Sequence, residues 1–156
     1  MPEATTEDRI KACIKVEQVC ADLYRLAAEK FPEEKELWKK LAKAEEAHTR
    51  VLIMSRSFHK LEALPESFLP HSMGLIELTL SALKKLRNKM ETEKLTLPEV
   101  LEMCLTTELM TTESYLADLL SRETDSEVIK LFQRLTGDEK THVELLEKAL
   151  KRHKGP

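Results

Sequence analysis

A short motif, Glu-x-x-His, occurs twice in this chain, each time inside a helix-forming segment with leucines at matched flanking positions. The first copy, LAKAEEAHTRVL, contains Glu45 and His48, and the second, LTGDEKTHVELL, contains Glu139 and His142. On a helix, a spacing of three places both side chains of a copy on one face, about one turn apart. The flanking leucines continue that face, so a carboxylate and an imidazole both point toward the interior. Buried charge is costly unless it is paired or holds a metal, and this limits what the chain can fold into.

Composition predicts one all-α domain that covers residues 1–156. Hydrophobic residues make up 42% and charged residues 34%, with only 3 Gly and 6 Pro, and Leu, Ala, Glu and Lys dominate. This is the composition of a globular helical protein that can build a real core. The net charge is −3 and no basic patch stands out, which argues against a nucleic-acid partner. No apolar run approaches membrane-spanning length and no apolar leader precedes the first helix, so we expect a cytoplasmic protein without a membrane partner.

Apolar stripes at helical spacing predict four long helices and one shorter helix between the second and third long ones. Either Thr5 or Thr6 can cap the first helix, and capping boxes start the third and fourth long helices at Thr96 and Thr124. The predicted architecture is a first hairpin over residues 5–60, a long crossover with the extra helix over 61–95, and a second hairpin over 96–153. The predicted helices cover residues 7–31, 33–60, 75–90, 96–122 and 124–153, the last of them starting at its capping box.

The two halves of the chain also match outside the Glu-x-x-His motifs. CIKVEQVCADLY in the first half aligns with CLTTELMTTESY in the second, which pairs Glu17 with Glu108 and Tyr24 with Tyr115. Each half is therefore interpreted as a hairpin with an inward Glu on its first helix and Glu-x-x-His on its second. Two such hairpins joined by a crossover make a four-helix bundle.

Together the halves supply four inward carboxylates and two imidazoles, a donor set that suits two iron ions, with manganese as a possible substitute. Four buried carboxylates would repel one another in an empty core, and two divalent cations would neutralise them. The alternative is a metal-free bundle with buried ion pairs, an expensive way to build a core. For a single motif, a hydrogen-bonded core histidine would be the preferred interpretation. The predicted metal ligands are Glu17, Glu45, His48, Glu108, Glu139 and His142.

This pattern resembles the ferritin-like superfamily, and most closely its rubrerythrin-type di-iron branch, over nearly the whole chain. The resemblance implies that Glu17 and His48 share one iron as terminal ligands. It also implies that Glu108 is a terminal ligand on the other iron, beside His142. Glu45 and Glu139 would then bridge the two ions.

The sequence departs from the rubrerythrin pattern in two respects. Thr111 stands where that branch has an additional carboxylate ligand. We therefore do not expect the shift in iron position that accompanies oxidation in rubrerythrins. The chain has no CxxC pair and hence no rubredoxin-type module, so electrons would have to come from an external donor or from thiols.

The resemblance implies an oxidoreductase of the peroxidase or ferroxidase kind that acts on O2 or peroxide. The alternative is iron binding, storage or sensing without turnover, and a third class is a metal-free helical interaction protein. A homodimer is a possible assembly, which the sequence does not decide.

Two further sets of residues are expected near the metals. Tyr24 and Tyr115 either hydrogen-bond the ligand carboxylates or fill the core as ordinary aromatic side chains. If the first and third long helices are antiparallel, Cys20 and Cys104 lie at similar heights beside the site. They are either buried small side chains, the preferred interpretation, or a thiol pair that exchanges electrons with the metals.

Overall fold

The structure is a computed structural model, and it describes residues 3–60, 69, 72–112, 123, 125, 127, 130, 133–134 and 139–154. Within these residues every regular element is a helix, which confirms the predicted all-α class. The helices are α1 (Thr6–Lys30), α2 (Lys35–Lys60), α3 (Met73–Thr92), α4 (Leu97–Thr112) and α5 (Glu139–Lys154).

The helix ends follow the local signals in the sequence. The Thr5 side chain accepts a hydrogen bond from the Asp8 backbone N–H at 3.0 Å, and the Asp8 carboxylate accepts one from the Thr5 N–H at 2.9 Å. This reciprocal capping box starts α1. Thr96 and Glu99 make the same pair of bonds at the start of α4. Pro32 ends the first long helix as predicted, and Pro32–Glu34 forms a single 3₁₀ turn that leads into α2.

The helix in the crossover is longer than predicted and belongs to the core. It begins at Met73, where the Ser72 hydroxyl accepts a hydrogen bond from the Leu75 N–H at 3.3 Å. Helix α3 packs against α1 and α4. Its Leu83 and Met90 side chains are fully buried. The segment between α2 and α4 therefore contributes apolar surface to the fold and is more than a connection.

The remaining helices pack in pairs, α1 against α2 and α4 against α5. One continuous apolar cluster joins all five, with Trp38, Leu41, Leu101 and Leu146 among its fully buried members. Burial of such side chains is the main source of stability in a fold of this size. The charged and imidazole residues described below interrupt this cluster.

Parts of two predicted elements lie outside the described residues. They are the end of the third long predicted helix, which includes Tyr115, and most of residues 124–138 in the fourth. Within the latter, Gln133 and Arg134 are helical. In the part of the chain that is described, no helix is both long enough and apolar enough to cross a membrane.

Candidate metal centre

Four ionisable side chains on three helices meet in the core. Glu45 and His48 on α2, Glu108 on α4 and His142 on α5 are only 2–3% exposed. They occupy the inward stripes of their helices because each lies three or four residues from a buried apolar neighbour. Glu17 on α1 joins the cluster with its side chain 20% exposed. The helix spacing therefore brings together five of the six predicted ligands.

The first part of the cluster contains Glu17, Glu45 and His48. The His48 Nδ1 lies 3.3 Å from the Glu45 Oε2 and 3.6 Å from the Glu17 Oε2. One donor atom from each of the three lies within 4.8 Å of the other two. Ligands about 2.1 Å from one ion can be at most about 4.2 Å apart. Both distances from His48 satisfy that limit, so an ion could bind here with small side-chain adjustments.

The second part of the cluster shares Glu45 with the first. Donor atoms of Glu45, Glu108 and Cys20 lie within 4.8 Å of one another. The Glu45 Oε1 also lies 3.6 Å from the Nδ1 of His142. The two carboxylate oxygens of Glu45 therefore face different histidines, and the imidazole centroids of His48 and His142 are 5.8 Å apart.

Tyr24 connects α1 to this second part. Its hydroxyl donates a hydrogen bond to the Glu108 Oε1, and its ring stacks on Trp38 with centroids 6.0 Å apart. Tyr24 thus hydrogen-bonds one of the predicted ligands while its ring lies among core side chains. Its counterpart Tyr115 lies outside the described residues.

The carboxylates influence one another strongly. Burial and the negative charge of Glu17 raise the pKa of Glu45 well above its ordinary value. Burial also acts to raise the pKa of Glu17, but hydrogen bonds with Glu45 and His48 outweigh it and lower that pKa. Without a cation, the pair is therefore stabilised when Glu45 carries a proton and Glu17 does not. A bound cation would stabilise these carboxylates in the same way as the proton on Glu45 does.

The cysteines are free thiols. Burial and the charges of nearby carboxylates raise the pKa of Cys20, and burial followed by the charge of Glu108 raises that of Cys104. Cys13 is half-buried with its pKa raised to about 12, mainly by burial. Cys20 and Cys104 lie in the same core cluster, and each is close to the carboxylates. Electron exchange between this thiol pair and the metals stays a prediction.

The donor set fits iron or manganese. Carboxylate oxygens and imidazole nitrogens are the ligands that these ions take in helical proteins, and here they converge in a buried position. Glu139, the remaining predicted ligand, is the first residue of α5, and its side chain lies outside the described residues.

Sequence reasoning placed Cys20 near the site but did not identify it as a donor beside Glu45 and Glu108. The available signal was its position on the stripe of Glu17, one helical turn further along α1. Comparison with protein-family models, curated proteins and solved structures finds no match to this chain. The geometry of the cluster therefore has to support any functional conclusion by itself.

Proposed function

We propose that this chain is a ferritin-like four-helix bundle that holds two metal ions, iron with manganese as a possible substitute. In this bundle α1 and α2 form one hairpin, α4 and α5 belong to the other, and α3 lies in the crossover. The pairwise packing of α1 with α2 and of α4 with α5 supports this arrangement. So does the convergence of inward carboxylates and imidazoles from both pairs.

The observation that carries the proposal is the position of Glu45. Its Oε2 faces His48 and Glu17, and its Oε1 faces His142. A carboxylate that bridges two ions presents one oxygen to each of them, and this is the arrangement that a two-metal site requires. Two divalent ions would also neutralise the four predicted carboxylates, which removes the electrostatic cost seen in the raised pKa of Glu45.

The proposed activity is that of a rubrerythrin-like oxidoreductase, located in the cytoplasm, that acts on O2 or peroxide. When bound, two adjacent ferrous ions supply two electrons together to such a substrate. Tyr24 orients the Glu108 carboxylate through its hydrogen bond. Glu17 is the part-exposed member of the described cluster, so a small oxidant would enter from its side. With no CxxC pair in the sequence, an external donor returns the electrons.

A second candidate is iron binding, storage or sensing without turnover. Two sequence features favour it over catalysis. Thr111 replaces the additional carboxylate expected of a rubrerythrin, and the given sequence contains no CxxC pair of the kind that a rubredoxin-type iron site uses. Both candidates require the same metal site, so the distinction lies in turnover.

Metal stoichiometry and repeated oxidation test the proposal. The purified chain is depleted of metal, loaded anaerobically with Fe2+ and freed of excess ion, and its iron content is then measured. Two ions per chain are expected, whereas a chain that retains none would belong to the metal-free class. Rapid oxidation by O2 or peroxide that can be repeated after each addition of reductant supports the oxidoreductase. One slow oxidation that leaves a retained ferric product supports storage.

A further inference from the structure

A buried sulfur lies among the oxygens of the second half of the site. The Sγ of Cys20 and one oxygen each of Glu45 and Glu108 lie within 4.8 Å of one another. The three residues are 7%, 2% and 3% exposed. These three side chains come from α1, α2 and α4, and together they form a set of potential metal donors.

The helix register explains why the sulfur points into the site. Cys20 follows Glu17 by three residues, so both lie on one face of α1. When the two halves are aligned, Thr111 occupies the matching place after Glu108. At this position of the alignment, therefore, the first half has a thiol and the second half has a hydroxyl.

We propose that the Cys20 thiolate is a ligand of the metal ion that Glu45 and Glu108 hold. This inference rests on the proposed function, because it adds a donor to the same site. On binding, the S–H bond of Cys20 breaks, its proton leaves to water, and a sulfur–metal bond forms. A metal–sulfur bond of about 2.3 Å and a metal–oxygen bond of about 2.1 Å allow S···O separations up to about 4.4 Å, so the three side chains have to close only slightly.

A thiolate ligand also bears on the choice of metal. Manganese and magnesium prefer oxygen donors, whereas softer thiolate ligands favour ions such as ferrous iron, cobalt and zinc. The ion beside Cys20 is therefore iron in preference to manganese, and the site beside Glu17 and His48 accepts either.

Cys104 and Cys13 provide matched controls. Cys104 is as buried as Cys20, and Cys13 is half-buried on the same helix as Cys20. Among the described residues, neither belongs to a group of three donors at this spacing. Replacement of either removes a thiol from the neighbourhood without removing the proposed ligand.

The test is an anaerobic titration of the metal-depleted full chain with Co2+, a substitute for ferrous iron whose bond to a thiolate gives a near-ultraviolet charge-transfer absorption. The wild type, Cys104→Ser and Cys13→Ser should all develop this absorption as they bind two Co2+ per chain. Cys20→Ser and Cys20→Ala should lose it. Their Co2+ affinity for one site should fall at least about tenfold, while Mn2+ affinity changes less.

Several outcomes would overturn the inference. Wild-type protein that binds two Co2+ without the absorption has no thiolate ligand, although the two-metal site itself then stands. If the absorption persists in Cys20→Ser and disappears in Cys104→Ser, the sulfur ligand comes from Cys104 and not from Cys20. Wild-type protein that binds no Co2+ or Fe2+ contradicts the proposed function and this inference together. Where a Cys20 variant fails to fold, the wild type and Cys104→Ser still decide, because absence of the absorption from either one overturns the inference.

Discussion

Tyr24 on α1 donates a hydrogen bond to Glu108 on α4, although the two residues are 84 positions apart in the chain. The bond engages the Oε1 of Glu108, one of the carboxylates of the proposed metal centre. Hydrogen bonds to ligand carboxylates orient them and tune the bound metal. If the proposed metal centre forms, Tyr24 would therefore be a positioning residue for Glu108.

Replacement of this hydroxyl tests that role. We expect Tyr24→Phe to keep the ring stacked on Trp38 and to lower Co2+ affinity by about 10–100-fold. The metal-free variant should also lose roughly 1–3 kcal/mol of unfolding free energy, because Glu108 stays buried without this donor. Metal titration and chemical denaturation measure the two effects. A variant that loses stability but binds Co2+ as tightly as the wild type would show that Tyr24 is only structural.

The shared position of Glu45 leads to a prediction about stoichiometry. Glu45→Gln should reduce iron binding from two ions per chain to one or none, because an amide cannot bridge two cations as a carboxylate does. Glu46→Gln is the matched control, since Glu46 is partly exposed and pairs with Arg25 outside the cluster. Elemental analysis after anaerobic loading gives the comparison. Two tightly bound ions in Glu45→Gln would contradict the bridging role.

In the metal-free protein, Glu45→Gln should raise the free energy of unfolding. The folded-state pKa of Glu45 is raised by burial first and then by the charge of Glu17. Its contribution to stability is therefore complete below the unfolded pKa and is lost as pH rises through the folded pKa. We expect metal-free Glu45→Gln to have a larger free energy of unfolding than the wild type near pH 7, because the amide places no charge in the core.

The pH dependence provides the check on this prediction. Below about pH 4, Glu45 is protonated in both the folded and the unfolded states, so the difference between wild type and Glu45→Gln should nearly vanish. Denaturation curves in the presence of a chelator, recorded between about pH 4 and pH 8, measure it. A difference that stays constant over this range would indicate a packing effect and not an ionisation effect.

The inward stripes were predictable from the sequence because helical periodicity alone decides which side chains share a face. Glu17, Glu45 and His48 lie where that periodicity places them. The capping box at Thr96 was predictable because both of its partners lie within one turn. At the start of α1 the sequence left Thr5 and Thr6 as alternatives, and the structure has Thr5 as the cap.

Contacts between distant helices were harder to predict. The stripe placed Tyr24 in the core but could not decide between a ligand hydrogen bond and simple packing, since that depends on how closely α1 approaches α4. The amphipathic pattern of α3 was visible, but its packing against α1 and α4 had no local signal. The same holds for Glu34, whose partners Arg152 and His153 are more than a hundred residues away.

Glu34 links the turn before α2 to the end of α5. It accepts hydrogen bonds from Arg152 at 2.8 and 3.2 Å, and the His153 Nε2 lies 2.9 Å from the same oxygen. Burial acts to raise the pKa of Glu34, but the bonds with Arg152 and His153 outweigh it and lower that pKa. This contribution to stability is present above the unfolded pKa and is lost as pH falls through the folded pKa.

We therefore expect Glu34→Gln to lose about 1 kcal/mol of unfolding free energy near pH 7, since Arg152 is half exposed and the pair is partly screened. The loss should shrink near pH 3. Glu33→Gln, an exposed neighbour in the same turn, is the control and should change little. Equal losses in the two variants would mean that the link to α5 contributes nothing measurable.

Metal removal should weaken the whole fold. An ion that binds only the folded chain adds about 2.7 kcal/mol at a free concentration one hundred times its Kd. For a chain of this length, that corresponds to a melting temperature roughly 5–10 °C higher than in chelator. Trp38, the single tryptophan, stacks on Tyr24, which hydrogen-bonds Glu108. Bound Co2+ should therefore quench the Trp38 fluorescence, so binding and unfolding can be followed on one sample. A melting temperature that is unchanged by exhaustive chelation, with unquenched Trp38 fluorescence at saturating Co2+, would exclude a metal-dependent core.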